Sequence, residues 1–214
     1  MTTYAILLGG TVTPTPRLLR QLEGARFIAA DGGIVHAARF DAEVELWVGD
    51  FDSTDQALAA RYGHVRRQVH PPAKDATDGE LALDEAVRRG ARRIVMVGGL
   101  GGASDHAFSH LPQMLALAAR GIEAHVTSGH EEAWPLLPGR LMLQAAAGSR
   151  LSIIGFSALE ALSLTNVRWP LDRRDVPLGS TLTLSNEALG DVGIALEEGL
   201  GVIILTPIGD EAVS

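Results

Sequence analysis

Residues 48–53 read VGDFDS and place two carboxylates, Asp50 and Asp52, one residue apart at the end of the apolar run Leu46-Trp47-Val48. Acids in similar settings recur along the chain. Asp31 stands in ADGG (30–33), Asp75 and Asp78 in KDATDGE (74–80), and Asp105 in GGLGGASDHAF (98–108). One aspartate after an apolar run is most often a helix cap, and Asp78 also suits the first turn of a helix. A single cap cannot use both Asp50 and Asp52. Carboxylates held close together repel and raise one another's pKa, so such a cluster calls for a cation. An oxygen-rich, thiol-free set suits Mg²⁺, which takes one or two carboxylates and completes its shell with substrate phosphates. Gly32-Gly33, Gly98-Gly99 and Gly101-Gly102 let backbone N–H groups approach an anion closely at helix starts, and Lys74 adds a point charge for a phosphate. The chemistry these residues suggest is Mg²⁺-dependent phosphoryl-type transfer from a nucleotide, in which positioning and charge neutralisation do most of the catalysis.

Each of these acids follows an expected strand. The apolar runs Tyr4–Leu8, Phe27–Ala30, Leu46–Val48, Val65–Val69, Ile94–Val97 and Glu123–Val126 alternate with helical patterns. Thr15-Pro16 opens one helix and Gly24 stops it. Ser53 with Gln56, and Thr77 with Glu80, read as capping boxes of helices ending near Arg61 and at Gly90. Ser104 is the expected cap of a helix reaching Ala119, and a short helix follows Gly33. This alternation argues a doubly wound, mostly parallel sheet, whose residues just beyond the strands meet in one crevice. After TSGHEEAWPLLPG (127–139) the pattern changes to short β-rich runs: Leu141–Gln144, Leu151–Ile154, Ala161–Leu164, Thr181–Leu184, Val192–Leu196 and Gly201–Leu205. The expectation is a Rossmann-like α/β domain over residues 1–132 and an all-β sandwich domain over residues 133–214.

Composition narrows the classes further. The chain has 214 residues, 46% of them hydrophobic, and a net charge of −8 from 18 basic and 26 acidic side chains. No Lys/Arg cluster marks a nucleic-acid footprint. The lack of cysteine removes disulfides, thiol catalysis and Cys-type zinc sites. The start, MTTYAILLGG, reads as a strand rather than a signal peptide, and no stretch is long enough to span a membrane. A soluble, cytoplasmic protein is expected. There is no Walker A motif, no GxGxxG in register, no metal-ligand spacing among the histidines and no identifiable Ser-His-Asp set. His106, beside Asp105, is a candidate base or a locally bonded helix-start histidine.

The ordered motifs resemble the thiamin pyrophosphokinase family. ADGGIVHA (30–37), VGDFDS (48–53), KDATDGELAL (74–83) and GGASDHAFSHL (101–111) follow the family's order, and NVRWPLD (166–172), LSNEAL (184–189) and EEGLGVIIL (197–205) extend the likeness over nearly the whole chain. The resemblance implies a Mg²⁺-dependent homodimer with its active site between subunits, which makes thiamin diphosphate and AMP from ATP and thiamin. It further implies that Asp50, Asp52, Asp75 and Asp78 hold Mg²⁺ and phosphates, with Asp52, Asp75, Asp78 and Asp105 catalytic. Asp31, Gly32, Gly33, Lys74, Gly101 and Gly102 would serve ATP, and Asp105, Trp169, Ser185 and Asn186 would serve thiamin. Trp169 has a physical rationale as well, since aromatic faces attract a cationic thiazolium; the alternative is that Trp169-Pro170 closes the β core. One departure stands out: Ala103 occupies the place of a family arginine, and Arg39, Arg66, Arg67 or a partner-subunit arginine are candidates to replace it. The competing readings are a pyrophosphokinase for another small alcohol such as a hydroxymethyl pterin, a Mg²⁺-dependent phosphohydrolase, and a non-catalytic nucleotide-binding module.

Overall fold

The structure is a computed structural model that describes residues 1–51, 55–70 and 75–209. Strands β1 (Thr3–Leu7), β2 (Arg26–Ala30), β3 (Val44–Gly49), β4 (Arg67–Val69), β5 (Arg93–Val97) and β6 (Glu123–Thr127) form one parallel sheet in the order β6-β5-β1-β2-β3-β4. Most of these strands are buried on both faces, so they read as continuous apolar runs rather than alternating ones. Tyr4, Ile6 and Leu8 point into one core with helices α3 (Asp78–Arg88) and α4 (Ser104–Ala119). Ala5 and Leu7 point into the other, with α1 (Pro16–Leu22), the 3₁₀ helix Asp31–Arg39 and residues Tyr62 and Val65 just beyond α2 (Gln56–Arg61). Each fully buried Leu, Ile or Val contributes about 1.5–3 kcal/mol by leaving water.

The local signals act as their chemistry requires. Thr15 Oγ1 accepts from Leu18 N with Pro16 in the first turn, and Thr77 Oγ1 accepts from Glu80 N at the start of α3. Two expected caps differ. Asp55, not Ser53, caps α2 by accepting from Ala57 N; Ser53 lies outside the described residues. Ala103 occupies the cap position of α4 with no side-chain bond, so Ser104 is already helical. The expected strand Val65–Val69 is shorter, beginning at Arg67.

Beyond β6 the pairing becomes antiparallel. The segment 127–139, expected as a polar junction, contains β7 (Glu132–Leu136), which pairs with β6 through Val126↔Ala133 and Thr127↔Glu132. β13 (Gly201–Thr206) and β9 (Arg150–Gly155) continue that ladder. A second ladder joins β8 (Gly139–Leu143), β12 (Asn186–Leu196), β10 (Leu159–Val167) and β11 (Leu171–Val176). One apolar cluster, with Leu151, Ile203 and Leu205 from the first ladder and Leu162, Leu164 and Ile194 from the second, unites the two. β12 shows the alternating burial of a strand with one wet face. The expected strand Thr181–Leu184 is a turn instead, tied down where Thr183 Oγ1 donates to Ile153 O.

Candidate active site

A cavity of about 550 Å³ opens at the carboxyl ends of β1, β2, β3 and β5. The strand order reverses beside β1, with β2 on one side and β5 on the other, which is where an open α/β sheet binds its ligands. Asp31, Asp50 and Asp78 all line this cavity, together with Gly32, Gly101 and Gly102. Three carboxylates from three separate segments beyond the strands therefore meet on one surface.

The close approach of the loops depends on two glycines. A Cβ on Gly10 would lie 2.3 Å from Gly98 O and 2.9 Å from Gly101 O, so the loop after β1 rests directly on the loop after β5. Gly98 has φ +79°, and Gly101 and Gly102 share that left-handed region. Successive peptide groups in such conformations turn their N–H groups into a concave, anion-binding surface. The first turns of α3 (Asp78, Gly79) and α4 (His106) line the same cavity, and helix starts favour anions.

Asp31 adopts φ +43°, an unusual conformation for a residue with a side chain. Trp47 helps hold it there, since its Nε1 donates to Asp31 O at 2.8 Å. The same indole packs edge-on against Phe51, with ring centroids 4.9 Å apart, and the Arg67 guanidinium lies over both rings. The Phe between the two acids of VGDFDS thus anchors its loop on β3. Trp47 and the Gly10–Gly98 contact carry no motif signal; only the apolar run before Asp50 hinted at the former.

Other expected site residues fall elsewhere. Gly33 is buried and does not line the cavity; a Cβ there would lie 2.1 Å from Leu7 O, so this glycine lets the 3₁₀ helix press on β1. Asp75 is exposed beside the cavity-lining Ala76. Asp105 is exposed on the first turn of α4, where Oδ1 accepts from His106 N at 2.9 Å. Asp52 and Lys74 lie outside the described residues. Trp169, Ser185 and Asn186 do not line the cavity, whose described lining ends at His110. Trp169 is 56% exposed, with the Arg168 guanidinium over its ring. Asn186 is buried and clamps the Trp169 backbone: Oδ1 accepts from Trp169 N at 3.1 Å and Nδ2 donates to Trp169 O at 2.8 Å. Ser185 is exposed at φ +57°, its N–H donating to Ser152 Oγ.

Among the described lining residues there is no Arg or Lys; His106 and His110 are the basic side chains. Burial holds His110 below the usual histidine pKa, against the pull of its bond to Gly99 O. His36, bonded to Gly10 O, is lowered for the same reason. Arg39, Arg66 and Arg67 are not among the described lining residues; Arg39 donates to Val12 O and Arg67 to Ala59 O. Among the described residues no three His, Asp or Glu side chains form a ready-made metal cage. The donor set nonetheless fits Mg²⁺, which needs only one or two carboxylates when phosphate oxygens supply the rest.

Known proteins share this architecture. A family model for the thiamin pyrophosphokinase catalytic domain matches residues 21–126. The thiamine pyrophosphokinase of Bacillus subtilis (strain 168) is 29% identical over 213 residues, spanning 95% of this chain and 98% of that protein. A Bacillus subtilis thiamine pyrophosphokinase crystal structure superposes with a TM-score of 0.86 at 25% identity, covering 97% of this chain and 100% of that one. The Geobacillus thermodenitrificans thiamin pyrophosphokinase gives 0.80 at 26%, covering 98% and 99%. At 13% identity the Candida albicans enzyme shares the fold alone, with a TM-score of 0.75 over 95% of this chain and 88% of that one. No helix among the described residues is long and apolar enough to cross a membrane. With its catalytic-domain motifs in order, a relative aligned end to end and the same fold throughout, the chain is similar to the thiamin pyrophosphokinases along nearly its whole length.

Proposed function

We propose that this chain transfers the pyrophosphoryl group of ATP to the hydroxyethyl oxygen of thiamin. The new bond joins that oxygen to the β-phosphorus, the bond between the β-phosphorus and the oxygen bridging it to the α-phosphate breaks, AMP leaves, and the hydroxyl proton is released. The carrying observation is the cavity at the strand ends, where Asp31, Asp50 and Asp78 face glycine-rich loops in a chain whose residues 21–126 match the thiamin pyrophosphokinase catalytic domain. The parallel region, residues 1–132, would be the ATP domain, and residues 133–214 a thiamin-binding β-sandwich.

Asp50 and Asp78, with Asp52 and Asp75, are assigned to hold Mg²⁺. Mg²⁺ held there would supply neutralisation of the charge on the transferring phosphates. Backbone N–H groups around Gly101 and Gly102 bind phosphate oxygens, as does Lys74. Asp31 and Gly32 line the nucleotide, while Gly33 serves by packing. Asp105 stands beside the reacting hydroxyl. Trp169 and Ser185 contact thiamin, with Trp169 offering a π-face to the thiazolium. The described cavity lining contains nothing beyond His110, which supports a homodimer in which a second copy supplies the thiamin side. Trp169, Leu178, Leu182 and Leu184, all exposed in one chain, give that copy apolar surface to cover.

The test is a product assay with ATP, Mg²⁺ and thiamin, resolved by chromatography with mass detection. Equal amounts of AMP and thiamin diphosphate are expected. Asp78→Asn should cut turnover at least about a hundredfold with an unchanged circular dichroism spectrum, the usual scale for lost electrostatic stabilisation. Nucleotide hydrolysis without a thiamin product would reject the acceptor, and full activity in Asp78→Asn would reject the metal assignment.

A further inference from the structure

A second cavity, about 900 Å³, lies apart from the acidic one. It lies between α1 and β8, floored by β5 to β7, and shares no lining residue with the nucleotide cavity. Its wall is built on one buried carboxylate. Glu132, 2% exposed, accepts from Arg17 Nε at 2.6 Å, Arg17 Nη2 at 2.9 Å, Gln21 Nε2 at 2.7 Å and Trp134 Nε1 at 2.9 Å. Burial works against the charge, yet the Arg17 bonds and charge hold Glu132 below its usual pKa.

This network fixes what the cavity presents. The Trp134 indole is locked by its bond to Glu132 and backed by the buried His125 ring, stacked at 4.1 Å and 9°. The remainder of the indole lines the cavity. Gln21 spends its amide N–H on Glu132, which leaves Oε1 a buried acceptor without a partner. Arg93 Nε is a buried donor without one, and its carboxylate neighbour Glu123 is 3.6 Å away, too far for a hydrogen bond. Both side chains line the cavity. Buried groups of this kind are costly until satisfied.

We infer that this cavity is a second ligand site, for a flat aromatic ring carrying an oxyanion such as a phosphate or carboxylate. The ring packs on Trp134 and the apolar wall of β8, and the oxyanion accepts from the Arg93 guanidinium. Arginine is the side chain suited to that contact, and Arg17, Arg20 and Arg93 gather here in a chain of net charge −8.

The probe is 1-naphthyl phosphate, titrated calorimetrically into the full chain while Mg²⁺ and a non-hydrolysable ATP analogue fill the nucleotide cavity. One submillimolar site per chain is expected, with inorganic phosphate and 1-naphthol each at least about tenfold weaker. Arg93→Gln should weaken binding about tenfold, the scale of one charge-assisted hydrogen bond. Met142→Glu, which places a carboxylate at an exposed position on the same wall, should do likewise and decides the matter if Arg93→Gln misfolds. Neither is placed in the reaction, so AMP formation should stay within about twofold. Absence of binding, affinity unchanged by Met142→Glu, or loss of binding when the nucleotide cavity is filled would each overturn the inference.

Discussion

Gly10→Ala separates loop spacing from ligand contact. The residue has no positive φ, so alanine brings no backbone strain of its own. Its methyl would sit 2.3 Å from Gly98 O, where ordinary contact begins at 3.4 Å, leaving it 1.1 Å too close (3.4 less 2.3). The neighbour is backbone, and Gly98 is itself pinned, with Leu8 O 2.6 Å from where its own Cβ would stand. The loops after β1 and β5 must therefore part by about 1 Å. That displacement moves Gly101 and Gly102 relative to Asp31 and Asp50 across the cavity. A misplacement of this size costs about a hundredfold in rate, and the overpacking costs about 1–3 kcal/mol of stability. Steady-state kcat/KM for ATP, read as AMP formed, should fall about a hundredfold, with a melting temperature several degrees lower. Gly9→Ala is the control, because its Cβ meets nothing within 4 Å although Gly9 also lines the cavity. Equal damage from Gly9→Ala, or Gly10→Ala activity within threefold of the parent, would refute the argument from loop spacing.

Two further outcomes follow from buried polar groups. Asn186→Ala removes both bonds that clamp the Trp169 backbone; it should cost about 1–3 kcal/mol in urea unfolding and raise the KM for thiamin with that for ATP unchanged, whereas an unchanged thiamin KM would place Trp169 outside the thiamin site. His125 is fully buried and its pKa is lowered from 6.5 to about 3, chiefly by burial. The unfolded chain takes up a proton near pH 6.5 that the folded chain refuses, so its contribution is intact above pH 6.5 and is lost as pH falls toward 3. Between pH 6.5 and 5 that loss is about 2 kcal/mol. Urea midpoints across that range should show it, and His125→Phe, which keeps a ring against Trp134, should flatten the profile; an equally steep profile in the variant would assign the loss to His36 and His110.

The acidic cavity was legible because it depends on topology more than on contacts. Once Asp31, Asp50 and Asp78 are assigned to strand ends of a parallel sheet, their meeting follows from strand direction alone. The caps were less legible. Ser53 and Asp55 both precede Gln56, and the choice of Asp55 rests on a single hydrogen bond to Ala57 N. Residues 127–139 misled for a related reason. β7 includes Glu132 and Pro135, poor strand formers in isolation, and besides the neighbouring β6 it is held by β13 and the Arg17–Glu132 pair, partners far away in sequence.

Gly33 and Asn186 show where motif reading loses the physics. Both lie in matching segments, and a motif marks a position without saying what the side chain touches. Gly33 is needed because Leu7 O leaves no room for a Cβ. Asn186 is needed because its amide satisfies the backbone N–H and C=O of Trp169. Trp47 is the converse, a residue outside the acidic motif that holds the Asp31 backbone and packs edge-on against Phe51. A strained aspartate survives only where its surroundings over-determine it, and Trp47 is the group that does so here. The acids of this cavity thus owe their positions to neighbours that carry no charge, which is why substitution of an uncharged residue such as Gly10 should cost as much activity as substitution of a carboxylate.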